Sequence, residues 1–267
     1  TLQKSGLLNR RLEGLPDDEA LDARKREERG FTRPELSVLL SYAKLDLYQQ
    51  LSGAGVELGA YRDTELLHYF PTPLQKQFGE FVSRHRLAQQ IVTTLLTNSL
   101  VNRMGPAFAI RAQQETGSGV DRVAQSYVIA RDIADARTLW ADIERLDTRI
   151  PTNIQYSMMY EIARKLRHSC YWILRNCNGP LDVDVMTESI SMPVQEILRD
   201  LPALMSESGA LRLEKTVRQH LRMGVPERLS RRISALGYIT DALEIVRIAT
   251  DTGCNNIDLA KAYIALG

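Results

Sequence analysis

Cysteine, aromatic residues and any surplus of charge are all scarce in this chain. Cys170, Cys177 and Cys254 are the three cysteines in 267 residues. An odd number so spread makes no disulfide framework and points to a reducing compartment, the cytoplasm. Lys and Arg number 34 against 33 Asp and Glu, so no global field draws the chain to nucleic acid or to an anionic membrane. No apolar run approaches the roughly 18 residues of a membrane span, and the first residues lack the layout of a secretion signal. With 16 Gly and 10 Pro, collagenous and low-complexity architectures are excluded. An initiating methionine is missing as well, which leads us to expect a segment or processed product of a longer chain.

Strand-like alternation is hard to find, whereas the helical period recurs almost everywhere. Leu36, Leu39, Leu40, Ala43, Leu47 and Leu51 fit the i, i+3, i+4, i+7 template. Thr32 with Glu35 predicts a capping box, and Pro34 sits where a missing N–H costs nothing. Gly53, Gly55 and Gly59 should end that helix. Further helices are predicted from Thr72-Pro73 to Arg103, over 106–115, 120–136 and 137–148, and from Pro151 to Asn178 with Met159, Ile162, Leu166 and Ile173 on one stripe. The remainder reads as 182–206, 208–222, 227–250 and 256–266. The expected fold is all-α, a multi-helix array or bundle of about ten helices without significant sheet. Its organisation reads as a leading segment over 1–30, a first helical unit over 31–178, and a second over 179–267 that is cut short. Arg111, Thr116-Gly117, Ala124, Tyr127 and Val128 match Arg247, Thr252-Gly253, Ala260, Tyr263 and Ile264 at a constant offset of 136. Duplication and coincidence both account for this, since helix–Gly–helix corners are common.

Catalytic chemistry is not visible. Gly53-Ala54-Gly55-Val56-Glu57-Leu58-Gly59 superficially resembles a dinucleotide loop, but that fingerprint must follow a strand and open a helix, and here a helix precedes it. The four histidines lie in separate helical segments, and only His168 stands near Cys170 and Cys177, too few ligands for a metal. We therefore expect no catalytic, cofactor-binding or metal-binding residue in this chain.

Two groups of polar residues are candidates for contacts. Arg212, Lys215, Arg218, Arg222, Arg228, Arg231 and Arg232 form a basic cluster that reads either as a solvated or ion-paired helix face or as a grip for a carboxylate-bearing surface, with no aromatic interleaved for stacking on bases. Asn98 and Asn102 fall on one stripe with Ile91 and Leu95, so either the pair is buried on the apolar seam, where amides need partners, or the stripe rotates and leaves both half exposed. Trp140 and Trp172 read as core or interface anchors.

Several segments carry a more specific signal. These are Lys4-Ser5-Gly6-Leu7-Leu8-Asn9-Arg10, Leu15-Pro16-Asp17-Asp18-Glu19, Thr32-Arg33-Pro34-Glu35-Leu36-Ser37-Val38-Leu39-Leu40-Ser41-Tyr42-Ala43-Lys44, Tyr69-Phe70-Pro71 and Arg84-His85-Arg86-Leu87. Asn98 with Leu100-Val101-Asn102-Arg103, Glu115-Thr116-Gly117, Leu139-Trp140, and Ile143-Glu144 with Leu146-Asp147 continue the series, more weakly followed by Gly224-Val225-Pro226-Glu227 and by Ala260 with Tyr263. In wording and order the chain resembles the C-terminal helical region of the large bacterial NAD-specific glutamate dehydrogenases over nearly its whole length. The resemblance implies a parent oxidoreductase that deaminates L-glutamate with NAD+ and water to 2-oxoglutarate, ammonium and NADH. The NAD site and the catalytic lysine and aspartate would lie upstream of Thr1, so no such residue is carried onto this chain. The implied role is a non-catalytic scaffold, subunit-contact or regulatory portion, with the upstream catalytic domain and further copies as partners and an expected homo-oligomer. Two alternatives remain: an autonomous module binding an acidic partner through Arg218, Arg222, Arg228 and Arg231, and a cleft for a small effector such as an amino acid near Asn98 and Asn102.

Overall fold

The computed structural model describes residues 2–3 and 5–266, with side chains through residue 264. Lys4 of the first matching segment, Thr1 and Gly267 lie outside the described residues. Among those described, the chain is helix and turn without a strand. It forms two compact units, Thr1–Val56 with Arg62–Glu115, and Glu57–Tyr61 with Thr116–Gly267.

In the first unit, α1 (Asp18–Arg26) opens on Asp17, whose carboxylate accepts the Ala20 N–H at 2.8 Å. The predicted capping box starts α2 (Arg33–Ala54): Thr32 Oγ1 accepts the Glu35 N–H, and the Glu35 carboxylate accepts the Thr32 N–H at 2.7 Å. Arg24, at the end of α1, donates to both oxygens of the same carboxylate at 2.8 and 3.0 Å. One side chain thus caps a helix and ties it to its predecessor. The Arg24 guanidinium first, and then the Thr32 N–H, hold the Glu35 carboxyl at about 2, down from 4.5. The folded chain therefore takes up this proton less readily than the unfolded chain, so the stabilisation is complete above about pH 4.5 and is lost as pH falls through about 2. An NMR titration of Glu35 should show its midpoint near 2; a midpoint near 4.5 would mean that the tie does not exist in solution.

Helix α2 stops at Gly55, left-handed at φ 61°. Of its apolar stripe only Leu47 and Leu51 are buried, where α2 packs on α5, while Leu36 stays exposed. Next come α3 (Ala60–Tyr69), which the periodicity did not reveal, and α4 (Thr72–Ser83). The single helix expected from Thr72 to Arg103 is broken over 84–87. There His85 packs on Phe70 at 5.5 Å, and its Nδ1 accepts the Leu87 N–H at 3.2 Å, a local bond that competes with the helical ladder. Helix α5 (Ala88–Ser99) passes into a π-helical turn, Leu100–Met104, before α6 (Phe108–Thr116). Its buried face is Val92, Leu96, Leu100 and Met104, flanked by Thr93, Thr97 and Val101. A spacing of four drifts by about 40° per step around an α-helix, and the wider π turn takes up that drift.

The second unit is built around α7 (Val120–Ile133), whose Val123, Ala124, Tyr127, Val128, Ile129, Ala130 and Ile133 are all fully buried. Ser126 and Arg131 on the same helix are buried too, so most of its circumference is covered and α7 lies in the centre of this core. After α8 (Ala136–Glu144), the long α9 (Thr152–Asn176) packs on α7 and buries Ile162, Leu166, Cys170 and Ile173, with Met158 rather than the expected Met159 at the head of the stripe. At the break over 178–180, Arg122 donates to the carbonyls of Cys177 and Gly179. Helix α10 (Val183–Leu204) covers another side of α7 and tolerates Pro193 and Pro202 in its interior. Helices α11 (Glu207–Arg222) and α12 (Glu227–Ala235) form a hairpin. A 3-10 turn, Leu236–Tyr238, then interrupts the helix expected over 227–250 and leads into α13 (Ile239–Thr252). Gly253, left-handed at φ 71°, ends α13 before α14 (Asn256–Leu266). Gly117 ends α6 in the same way at φ 70°, so the two segments offset by 136 residues do share a helix–glycine–helix corner.

Candidate functional site

No nucleophile–base arrangement is present among the described residues. His68 Nδ1 lies 2.7 Å from the Thr64 carbonyl, and His168 is exposed. His220 is buried with Nε2 3.8 Å from Glu161, and no hydrogen-bond partner meets its Nδ1. Burial pushes the Lys165 ammonium down and the Asp241 carboxyl up, a pattern that can mark acid–base chemistry, but no hydrogen bond joins the two, and Asp241 alone of the pair lines the neighbouring cavity of about 340 Å³. No group of three metal-ligating side chains occurs among the described residues. All three thiols are free; Cys170 is buried, Cys177 half-buried and Cys254 exposed. Burial pushes the Cys170 thiol up to about 12, where the reactive thiolate is negligible at neutral pH. A disulfide reagent should accordingly modify Cys254 in the native chain and reach Cys170 only after unfolding. Equal labelling rates would contradict this placement.

The glycine loop after α2 does not fit a dinucleotide. Its donor at the start of α3, the Ala60 N–H, is already bonded to both oxygens of Asp184 at 2.9 and 3.1 Å. A pyrophosphate there would face a carboxylate. Gly59 sits at φ 53°, a conformation that favours glycine, and a Cβ there would also displace that same carboxylate.

Asn98 is half-buried and Asn102 is exposed, which fits a stripe that rotates along the helix rather than a buried pair. The apolar seam of α5 runs along Val92, Leu96 and Leu100 and turns with the π segment, which carries Asn102 outward. Neither residue lines the cavity described next. Trp140 is buried in the second unit, and Trp172 donates its indole N–H to Glu244 at 3.0 Å.

The basic cluster divides into two parts. Arg212, Lys215, Arg218 and Arg222 are exposed on one face of α11. Arg231 is instead tied to Glu214 and, at 2.9 Å, to Glu227, while Arg232 reaches Asp135 at 2.7 Å and Asp142 at 3.5 Å. Arg228 and Arg231 stand at the mouth of a cavity of about 720 Å³ between α8, α10, α11 and α12, floored by Leu139, Leu198, Leu213, Val217 and Leu236. This cavity was not visible in the sequence, because its walls come from four helices spread over a hundred residues.

A second feature missed by the periodicity lies on α4. Leu74, Phe78 and Phe81, at i, i+4 and i+7, form one face, and Phe81 is 71% exposed. The Phe78 and Phe81 rings meet edge-on at 6.4 Å, and Phe78 has a non-helical backbone that kinks the helix. Helical spacing marks an apolar face; it does not say whether that face turns inward or outward.

The profile of the family described as "Glutamate dehydrogenase, C-terminal" matches residues 28–267. An NAD-specific glutamate dehydrogenase of Pseudomonas aeruginosa is 34% identical over 266 residues, covering 100% of this chain and 16% of that protein. One from Halomonas elongata is 34% identical over 273 residues, with the same shares. The enzyme of the same description from Mycobacterium tuberculosis is 27% identical over 97% of this chain and 16% of its own length. The chain thus spans 16% of the length of these curated relatives.

Proposed function

The chain belongs to the glutamate dehydrogenase C-terminal family, and from that membership we propose that it is the helical C-terminal portion of an NAD-dependent enzyme deaminating L-glutamate. In this reading the nicotinamide site and the groups that act on the substrate reside in the upstream polypeptide. The helices contribute contacts, to the catalytic domain of the same chain or to another copy in a homo-oligomer, in the cytoplasm.

The observation that supports this role is the outward aromatic face of α4. Leu74, Phe78 and Phe81 are each at least two-fifths exposed, together with Tyr69. Grouped exposed side chains of this size mark a surface that meets another protein, whereas scattered single ones do not. The test is glutamate-dependent NADH formation by the 267-residue chain and by the full polypeptide that carries it. Activity in the full polypeptide alone is expected; turnover by the 267-residue chain would overturn the scaffold role.

The exposed row of Arg212, Lys215, Arg218 and Arg222 on α11 favours a second reading, an autonomous module for an acidic partner. Arg231 belongs to that surface less than the sequence suggested, because Glu214 and Glu227 already engage it.

A further inference from the structure

The cavity between α8, α10, α11 and α12 has a chemistry that a scaffold does not require. Its volume, about 720 Å³, lies within the range of small-molecule sites, about 300–1,000 Å³. The floor is aliphatic, from Leu139, Leu198, Leu213, Val217 and Leu236, and Met192, 71% exposed, stands at its edge. The polar lining is dominated by four guanidiniums, of Arg199, Arg228, Arg231 and Arg232, with Glu196 as the one carboxylate facing the space.

Three of these guanidiniums are oriented by carboxylates: Arg199 by Asp200 at 2.8 Å, Arg231 by Glu214 and Glu227, and Arg232 by Asp135 and Asp142. A guanidinium has five N–H donors, so each anchored fork retains donors beyond those its partners occupy. Arg228 forms no ion pair among the described residues and is exposed. The five anchoring carboxylates, with Glu196 as a sixth, outnumber the four cations, so a bare inorganic anion gains nothing from the long-range field on entering. Affinity must come mainly from apolar burial, with the head group fixed by short, charge-assisted hydrogen bonds.

We propose that this cavity binds an anionic amphiphile: an aliphatic body on the Leu139, Leu213 and Val217 floor, and a carboxylate or phosphate head on Arg228 beside Arg231. The inference is independent of the scaffold reading, whose failure would show in assembly or activity and not in binding here.

Calorimetry of the full polypeptide with decanoate, kept below its micellar concentration, tests it. Saturable binding at one site per chain is expected, and decyl phosphate should compete. Decan-1-ol, which has the same body and no charge, should bind about tenfold more weakly or worse, as should decanoate to Arg228→Glu and to Met192→Asp. Both substituted side chains are exposed, and unchanged circular dichroism would confirm that folding is intact. Absence of binding, equal affinity for the alcohol, or affinity indifferent to both substitutions would each overturn the proposal. Vesicles of anionic phospholipid form a separate arm: co-sedimentation that Arg228→Glu abolishes, without any binding of monomeric decanoate, would assign these arginines to a membrane surface and overturn the single-molecule site.

Discussion

Tyr127→Ala is expected to destabilise the second unit by about 3–5 kcal/mol, the cost of truncating a comparable aromatic in a close-packed core. Tyr127 is fully buried on α7, the helix that α9 and α10 both pack against, so the lost ring leaves a void with packed helices on two sides. Tyr263, at the equivalent place after the second helix–glycine corner, is 37% exposed. Its truncation should cost less than about 1 kcal/mol, the range of changes outside a core. Trp140 and Trp172 are the two tryptophans of the chain and both belong to the second unit, so their fluorescence during urea unfolding reads that unit directly. Tyr127→Phe, which keeps the volume, separates packing from the loss of the hydroxyl. A Tyr263→Ala variant as damaging as Tyr127→Ala would mean that the two corners are equivalent in packing as well as in backbone, and the contrast drawn from their burial would fail.

Whether a feature could be read from the sequence follows how local its cause is. The Thr32 and Glu35 capping box and the glycine stops at Gly55, Gly117 and Gly253 are set within a few residues, and they stand where the sequence places them. The break over 84–87 was hidden because the His85 contacts that accompany it, with the Phe70 ring and the Leu87 N–H, are not contained in helical periodicity. For Asn98 and Asn102 the sequence left burial and half exposure both open, for a different reason. Extrapolating one stripe assumes a constant period, and the π turn at Leu100–Met104 changes it. The basic cluster was found correctly as a run of residues, but Asp135 and Asp142, which neutralise Arg232, lie almost a hundred positions away in the sequence. The cavity depends on the same long-range packing. The family resemblance, carried by the wording of short segments, reached the fold and the enzyme family without needing any of these contacts.

In assembly, the largest effect is expected from Phe78→Glu combined with Phe81→Glu in the full polypeptide. If this face of α4 docks on protein, two buried aromatic anchors are replaced by carboxylates that must either be desolvated or hold the surfaces apart. Anchors of this kind are worth about 2 kcal/mol or more each, so the contact should weaken by at least about a hundredfold even if the two losses are only partly additive. Phe81 and Phe78 are already exposed in this chain, so the 267-residue chain carrying both changes should keep its helix content and its urea midpoint. That combination, intact folding with lost association in sedimentation, distinguishes a contact surface from a core. Arg218→Glu with Arg222→Glu on α11 is the matched control, since it reverses charge on an exposed face without touching α4. Should the arginine pair dissociate the assembly while the phenylalanine pair leaves it unchanged, the contact would run through α11 to an acidic surface, and the role assigned to α4 would have to be withdrawn.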